Sequence, residues 1–179
     1  MRISVLAVLM SALAVPAGAT LLNGLTVNTT YLFPSTAQIF AGPVNSTVGP
    51  GTELINFAGF VNIDFSDTNI LITTTRGGGP NLVAFDGLRF MFAAIPAFGS
   101  VTLDPSTTYT GFTASRLSSV GSTIFVNVAS PTGAGLLGQT ISIDLAPSSS
   151  VPEPGSFALI AGALALLGRR IAVACSVRR

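Results

Sequence analysis

Four stretches of this chain alternate apolar and polar residues with a period of two, and that pattern restricts the fold more than any other feature. Val61, Ile63 and Phe65 alternate with Asn62, Asp64 and Ser66; Leu88, Phe90 and Phe92 with Arg89 and Met91; Ile124, Val126 and Val128 with Phe125 and Asn127; and Ile141, Ile143 and Leu145 with Ser142 and Asp144. Successive side chains of an extended strand point to opposite faces, so each stretch turns one apolar row toward a core. Turn clusters punctuate the chain at Gly49-Pro50-Gly51, Arg76-Gly77-Gly78-Gly79-Pro80, Asp104-Pro105-Ser106 and Pro131-Thr132-Gly133, where Gly and Pro set the backbone. No stretch between residues 20 and 156 keeps a helical period. The expected fold is all-β, an antiparallel β-sandwich or jelly roll of about eight to ten short strands.

The two ends do not share this pattern. Met1-Arg2 supplies one positive charge, Ile3 to Val15 is apolar apart from Ser4 and Ser11, and Ala17-Gly18-Ala19 places small residues where a signal peptidase needs them. This is the layout of a secretory signal peptide, with cleavage after Ala19 and a mature chain beginning at Thr20. Residues 20–146 then form the β-domain. Its three arginines, Arg76, Arg89 and Arg116, face six carboxylates, Glu53, Asp64, Asp67, Asp86, Asp104 and Asp144, a formal net of −3, because five of the eight arginines lie in the terminal segments. With no lysine and no basic patch, the domain offers nothing to a nucleic acid. The only cysteine is Cys175, so the domain has no disulfide of its own and relies on packing.

Residues 147–155 read as a linker, Pro147-Ser148-Ser149-Ser150 followed by Val151-Pro152-Glu153-Pro154. Two prolines, each with a fixed φ and no amide hydrogen, hold the backbone around Glu153 extended. Residues 156–179 carry an apolar run from Phe157 to Leu167, then Arg169-Arg170 and a tail ending in Arg178-Arg179. That order is the pattern of a stop-transfer anchor, a transmembrane helix halted by arginines kept on the cytoplasmic side. Eleven residues at ~1.5 Å each reach only ~16 Å of a ~30 Å hydrocarbon core. The span from Val151 to Gly168 has eighteen residues, and snorkelling arginines lengthen its reach. A buried core helix has no reason to follow a serine-rich linker and to end in paired arginines.

These residues, Pro152-Glu153-Pro154, a short hydrophobic helix and an arginine cluster, together resemble the PEP-CTERM sorting signal of Gram-negative bacteria, over roughly the last fifth of the chain. The tail from Ile171 to Arg179 departs from the usual pattern. The resemblance implies that an exported protein is held in the inner membrane until an exosortase, a membrane-embedded enzyme resembling cysteine transpeptidases, processes it. It also implies release or transfer to the cell surface or extracellular matrix, often in bacteria that make exopolysaccharide. The partners implied are the exosortase, the membrane and extracellular polysaccharide.

The domain offers little chemistry. It has no histidine, hence no triad base and no imidazole for zinc, and no thiol before Cys175. Asp64, Asp86, Asp104 and Asp144 read as solvated acids at strand ends and turns rather than paired catalytic carboxylates. Asp64, Asp67 and Asn69 lack the spacing of a calcium loop and read as a turn. Gly77-Gly78-Gly79 has no following Lys-Ser/Thr and reads as a hairpin loop. There is no tryptophan, only Tyr31 and Tyr109, and most phenylalanines sit in apolar rows that read as core. The sequons Asn28-Thr29-Thr30 and Asn45-Ser46-Thr47 read as chance matches in a bacterial protein. The expectation is no enzyme and no cofactor or metal, with a structural or interaction role; the alternative is a glycan- or protein-binding β-sandwich module.

Overall fold

The alternating rows fold as strands. The computed structural model describes residues 21–78, 81–93, 98–129 and 136–147. Among these the chain forms ten strands: β1 (Thr26–Leu32), β2 (Ile39–Thr47), β3 (Leu54–Phe57), β4 (Val61–Phe65), β5 (Asn69–Thr74), β6 (Gly87–Phe92), β7 (Phe98–Leu103), β8 (Leu117–Val120), β9 (Thr123–Asn127) and β10 (Thr140–Pro147), with one 3-10 turn at Ala114–Arg116. In β4, Val61, Ile63 and Phe65 are buried while Asn62 and Asp64 are half-buried, as the period of two requires. Leu88, Phe90 and Phe92 of β6 and Ile124 and Val126 of β9 do the same.

Two five-stranded sheets result, ordered β2-β1-β6-β9-β8 and β3-β4-β5-β10-β7. All pairings are antiparallel. The strands β3, β4 and β5 follow one another side by side in one sheet, which is a meander and not the strand order of a jelly roll. The inner faces share one core. Phe65 of β4, with no exposed surface, meets Phe90 and Phe92 of β6 edge-on across the interface, at centroid distances of 5.3 and 6.2 Å and interplanar angles of 87° and 88°. Edge-to-face pairs of this kind contribute about 0.5–1.5 kcal/mol each beyond the area they bury.

Two glycines fix the strand contacts. A Cβ at Gly87, the first residue of β6, would overlap the Val126 carbonyl oxygen of β9, so only glycine lets these strands approach. At Gly42, with φ +87°, a Cβ would lie 2.7 Å from the Thr29 carbonyl oxygen, beside the register shift between β1 and β2. Pro43 follows it in β2, at the edge of its sheet, where a missing amide hydrogen leaves no central ladder broken.

The structure corrects one loop. Gly77-Gly78-Gly79 does not belong to a hairpin, because β5 and β6, which flank it, lie in different sheets. Gly77 and Gly78 lead out of β5 toward the other sheet; Gly79 lies outside the described residues. In β10 the polar row is also partly inside. Ser142 is buried, its amide donating to Thr107 Oγ1 at 3.0 Å and its Oγ accepting from Asn69 Nδ2 at 2.9 Å. The signal-peptide residues Ala17, Ala19 and Thr20, the motif Pro152-Glu153-Pro154 and the stop residues Arg169 and Arg170 lie outside the described residues. Among the described residues no helix is long and apolar enough to cross a membrane.

Candidate ligand-binding site

At one end of the sandwich the sheets line a partly open cavity of about 210 Å³. Its apolar floor comes from both layers, with Leu88 and Val126 from one sheet and Val61, Ile72 and Ile141 from the other. Tyr31, Phe33, Phe40, Phe60 and Tyr109 supply aromatic walls, and Asp86, Asn81 and Arg76 supply polar groups.

Asp86 is placed by backbone geometry rather than by its own strand. It sits just before β6, and Asn127 at the end of β9 fastens that segment. Asn127 Oδ1 accepts from the amides of Asp86 at 3.2 Å and Ala129 at 3.0 Å, and its Nδ2 donates to the Ala84 carbonyl at 3.3 Å. The Val128 amide donates to the Asp86 carbonyl at 2.7 Å. Phe85 anchors the same segment, edge-on to Phe125 of β9 at 6.2 Å. Asp86 is thereby held at 7% exposure. The Tyr31 hydroxyl donates to its Oδ1 at 2.8 Å, and Asn81 Nδ2 donates to its Oδ2 at 2.6 Å. The sequence reading places Asp86 in solvent, and the structure overturns that because Asn127 fixes its backbone while Tyr31 and Asn81 bond its carboxylate.

Most of the described phenylalanines are buried, as expected, and the three at the cavity are not. Phe40 is 55% exposed on the edge strand, and Phe33 and Phe60 are only partly buried, so these three are cavity wall rather than core. The rings incline to one another: Tyr31 and Phe40 at 62°, Phe33 and Phe40 at 80°, Phe60 at 39° to Tyr31 and 42° to Phe40.

The other acids stay outside this site. Asp67 Oδ1 accepts from the Leu22 and Asn23 amides, and Asn69 Nδ2 donates to Asp144 Oδ1, so these side chains serve turns and strand pairing. Glu53 accepts from the Gly49 and Phe65 amides, one with each carboxylate oxygen. Burial and the neighbouring Glu53 hold the Asp64 carboxyl above its ordinary pKa. Among the described residues no group of three His, Cys, Asp or Glu is placed to hold a metal. Asn28 and Asn45 of the two sequons pair side chain to side chain at 2.8 Å across β1 and β2.

Burial, then the charge and hydrogen bond of Asp86, push the Tyr31 phenol far above its ordinary pKa; burial and the same carboxylate raise Tyr109 as well. A raised folded pKa holds the proton that the unfolded chain releases near pH ~10, so stability is intact below that pH and falls as pH rises above it. Phenolate absorbance is therefore expected to lag in the folded chain above pH ~10, appearing in full only on unfolding. Tyr31→Phe leaves Asp86 Oδ1 without its donor and is expected to cost about 2 kcal/mol at neutral pH. Free titration of both tyrosines in the native state would contradict this geometry.

By fold, the chain is an all-β protein of two packed antiparallel sheets with an aromatic, acid-bearing cavity at one end. No family model, no curated protein and no solved structure matches it significantly.

Proposed function

We propose that the chain is an exported surface or extracellular-matrix protein, sent across the inner membrane by residues 1–19, held there by residues 156–179, and processed by an exosortase at its Pro-Glu-Pro signal. The observation that carries this reading is the ordered set in the sequence: a serine-rich linker, Pro152-Glu153-Pro154, the apolar run from Phe157, then Arg169 and Arg170. The β-domain is the displayed part. A second reading of that domain, a binding module rather than a purely structural unit, is favoured by the cavity, since a buried carboxylate beside five aromatic side chains is poor architecture for a surface that only packs.

Two sets of variants separate the parts of the sorting signal. Replacing Pro152, Glu153 and Pro154 with alanine leaves the anchor intact, and the protein is expected to accumulate uncleaved in the inner membrane. Replacing Leu164, Leu166 and Leu167 with polar residues removes about 2 kcal/mol of apolar transfer free energy per leucine, and is expected to yield a soluble exported form. Identical distribution of both variants between membrane and soluble fractions, each cleaved like the parent, would overturn the reading.

A further inference from the structure

We propose that the end cavity binds an organic ammonium group, with the Asp86 carboxylate as its counter-charge and the inclined aromatic rings as its walls. The inference deepens the binding-module reading and rests on it. Among the described residues the hydrogen-bond donors to Asp86 are the Tyr31 hydroxyl and the Asn81 amide, both neutral. Asp86 is 7% exposed and its carboxylate accepts from neutral donors only, so a cation entering beside it finds a buried counter-charge in a site where solvent screens less than at the open surface. The two donors use one lone pair on each oxygen and leave the others free.

The walls discriminate between ligand classes. A sugar ring stacks on a flat, exposed aromatic face, whereas Tyr31, Phe33 and Phe40 meet at 62° and 80° and form a corner. Such a corner surrounds a compact cation, which aromatic rings attract within about 6 Å of their centroids. The volume agrees: 210 Å³ is smaller than the ~300–1,000 Å³ of sites for drug-sized ligands and suits a small ion or a single head group. Arg76 also lines the cavity from an exposed position and Arg116 acts on Tyr109, so both arginines reduce the attraction, while the hydrogen bonds to Asp86 come from neutral groups. The ammonium can belong to a free small molecule or to an amino sugar within a glycan.

The test is calorimetric titration of the full chain in non-ionic detergent with tetramethylammonium, its neutral counterpart tert-butanol, glucosamine and its neutral counterpart glucose. Saturable binding of tetramethylammonium or glucosamine, with the neutral counterpart at least ~10-fold weaker, is the expected result. Tetramethylammonium alone identifies a free alkylammonium ligand; glucosamine alone identifies an amino sugar. Asp86→Asn is expected to lower affinity by ~10-fold or more. Phe40→Ala, at an exposed edge position, leaves the core intact and is expected to weaken binding severalfold. Equal binding of charged and neutral partners, or undiminished binding in both variants, overturns the ammonium assignment and leaves the binding module standing. Absence of binding by all four compounds overturns both.

Discussion

Phe65→Ala is expected to destabilise the β-domain by about 3–5 kcal/mol, the range for truncating a large aromatic in a packed core. Phe65 is fully buried in β4 and packs across the two sheets, edge-on to both Phe90 and Phe92. Its loss removes buried area, both aromatic contacts and the filling between the layers, and the phenylalanines of β6 are pinned by their own ladder to β1 and β9 and cannot follow inward. Chemical denaturation is expected to show a lower midpoint with an unchanged slope. A shift of under about 1 kcal/mol would mean that the sheets do not share this core.

Gly87→Ala is expected to cost about 3 kcal/mol or more, although only one methyl group is added, because the clash is with backbone. The Val126 carbonyl oxygen occupies the space, and Gly87 is registered against both Leu32 and Asn127, so relief requires moving β6 away from its neighbours. The same shift would displace Asp86, one residue before, and open the cavity. Gly49→Ala is the control. Its Cβ would meet nothing within 4 Å, and a change within about ±0.5 kcal/mol is expected. Equal effects at the two glycines would show that β6 and β9 are not this close.

The strands most legible in the sequence are those with one face on the core. β4, β6, β9 and β10 carry clean apolar rows because each sits inside its sheet, paired on both sides. β2 carries none. It is an edge strand whose Ile39, Phe40 and Val44 are exposed, and Gly42-Pro43 interrupts it, so neither burial nor propensity marks it as a strand. The cavity was illegible for a different reason. Asp86 depends on Tyr31, 55 residues away, and on Asn127, 41 residues away, and no local pattern records either contact. The one local signal was an acid set between Phe85 and Gly87-Leu88, large apolar side chains on both sides of a charge at a strand start. The terminal segments are the reverse case: their order is plain in the sequence, and they lie outside the described residues.

The central claim is export followed by processing at the Pro-Glu-Pro signal, and intact-mass and terminal-peptide analysis of the protein from its native host, taken separately from membrane and extracellular fractions, tests it most directly. The expected membrane form begins at Thr20 and retains Arg169 and Arg170, because Ala17 and Ala19 direct the first cleavage and the anchor awaits the second. The expected extracellular or surface form begins at the same residue and has lost the apolar run from Phe157 to Leu167. A chain that keeps Met1, or an extracellular form that keeps its C-terminal arginines, would contradict the account.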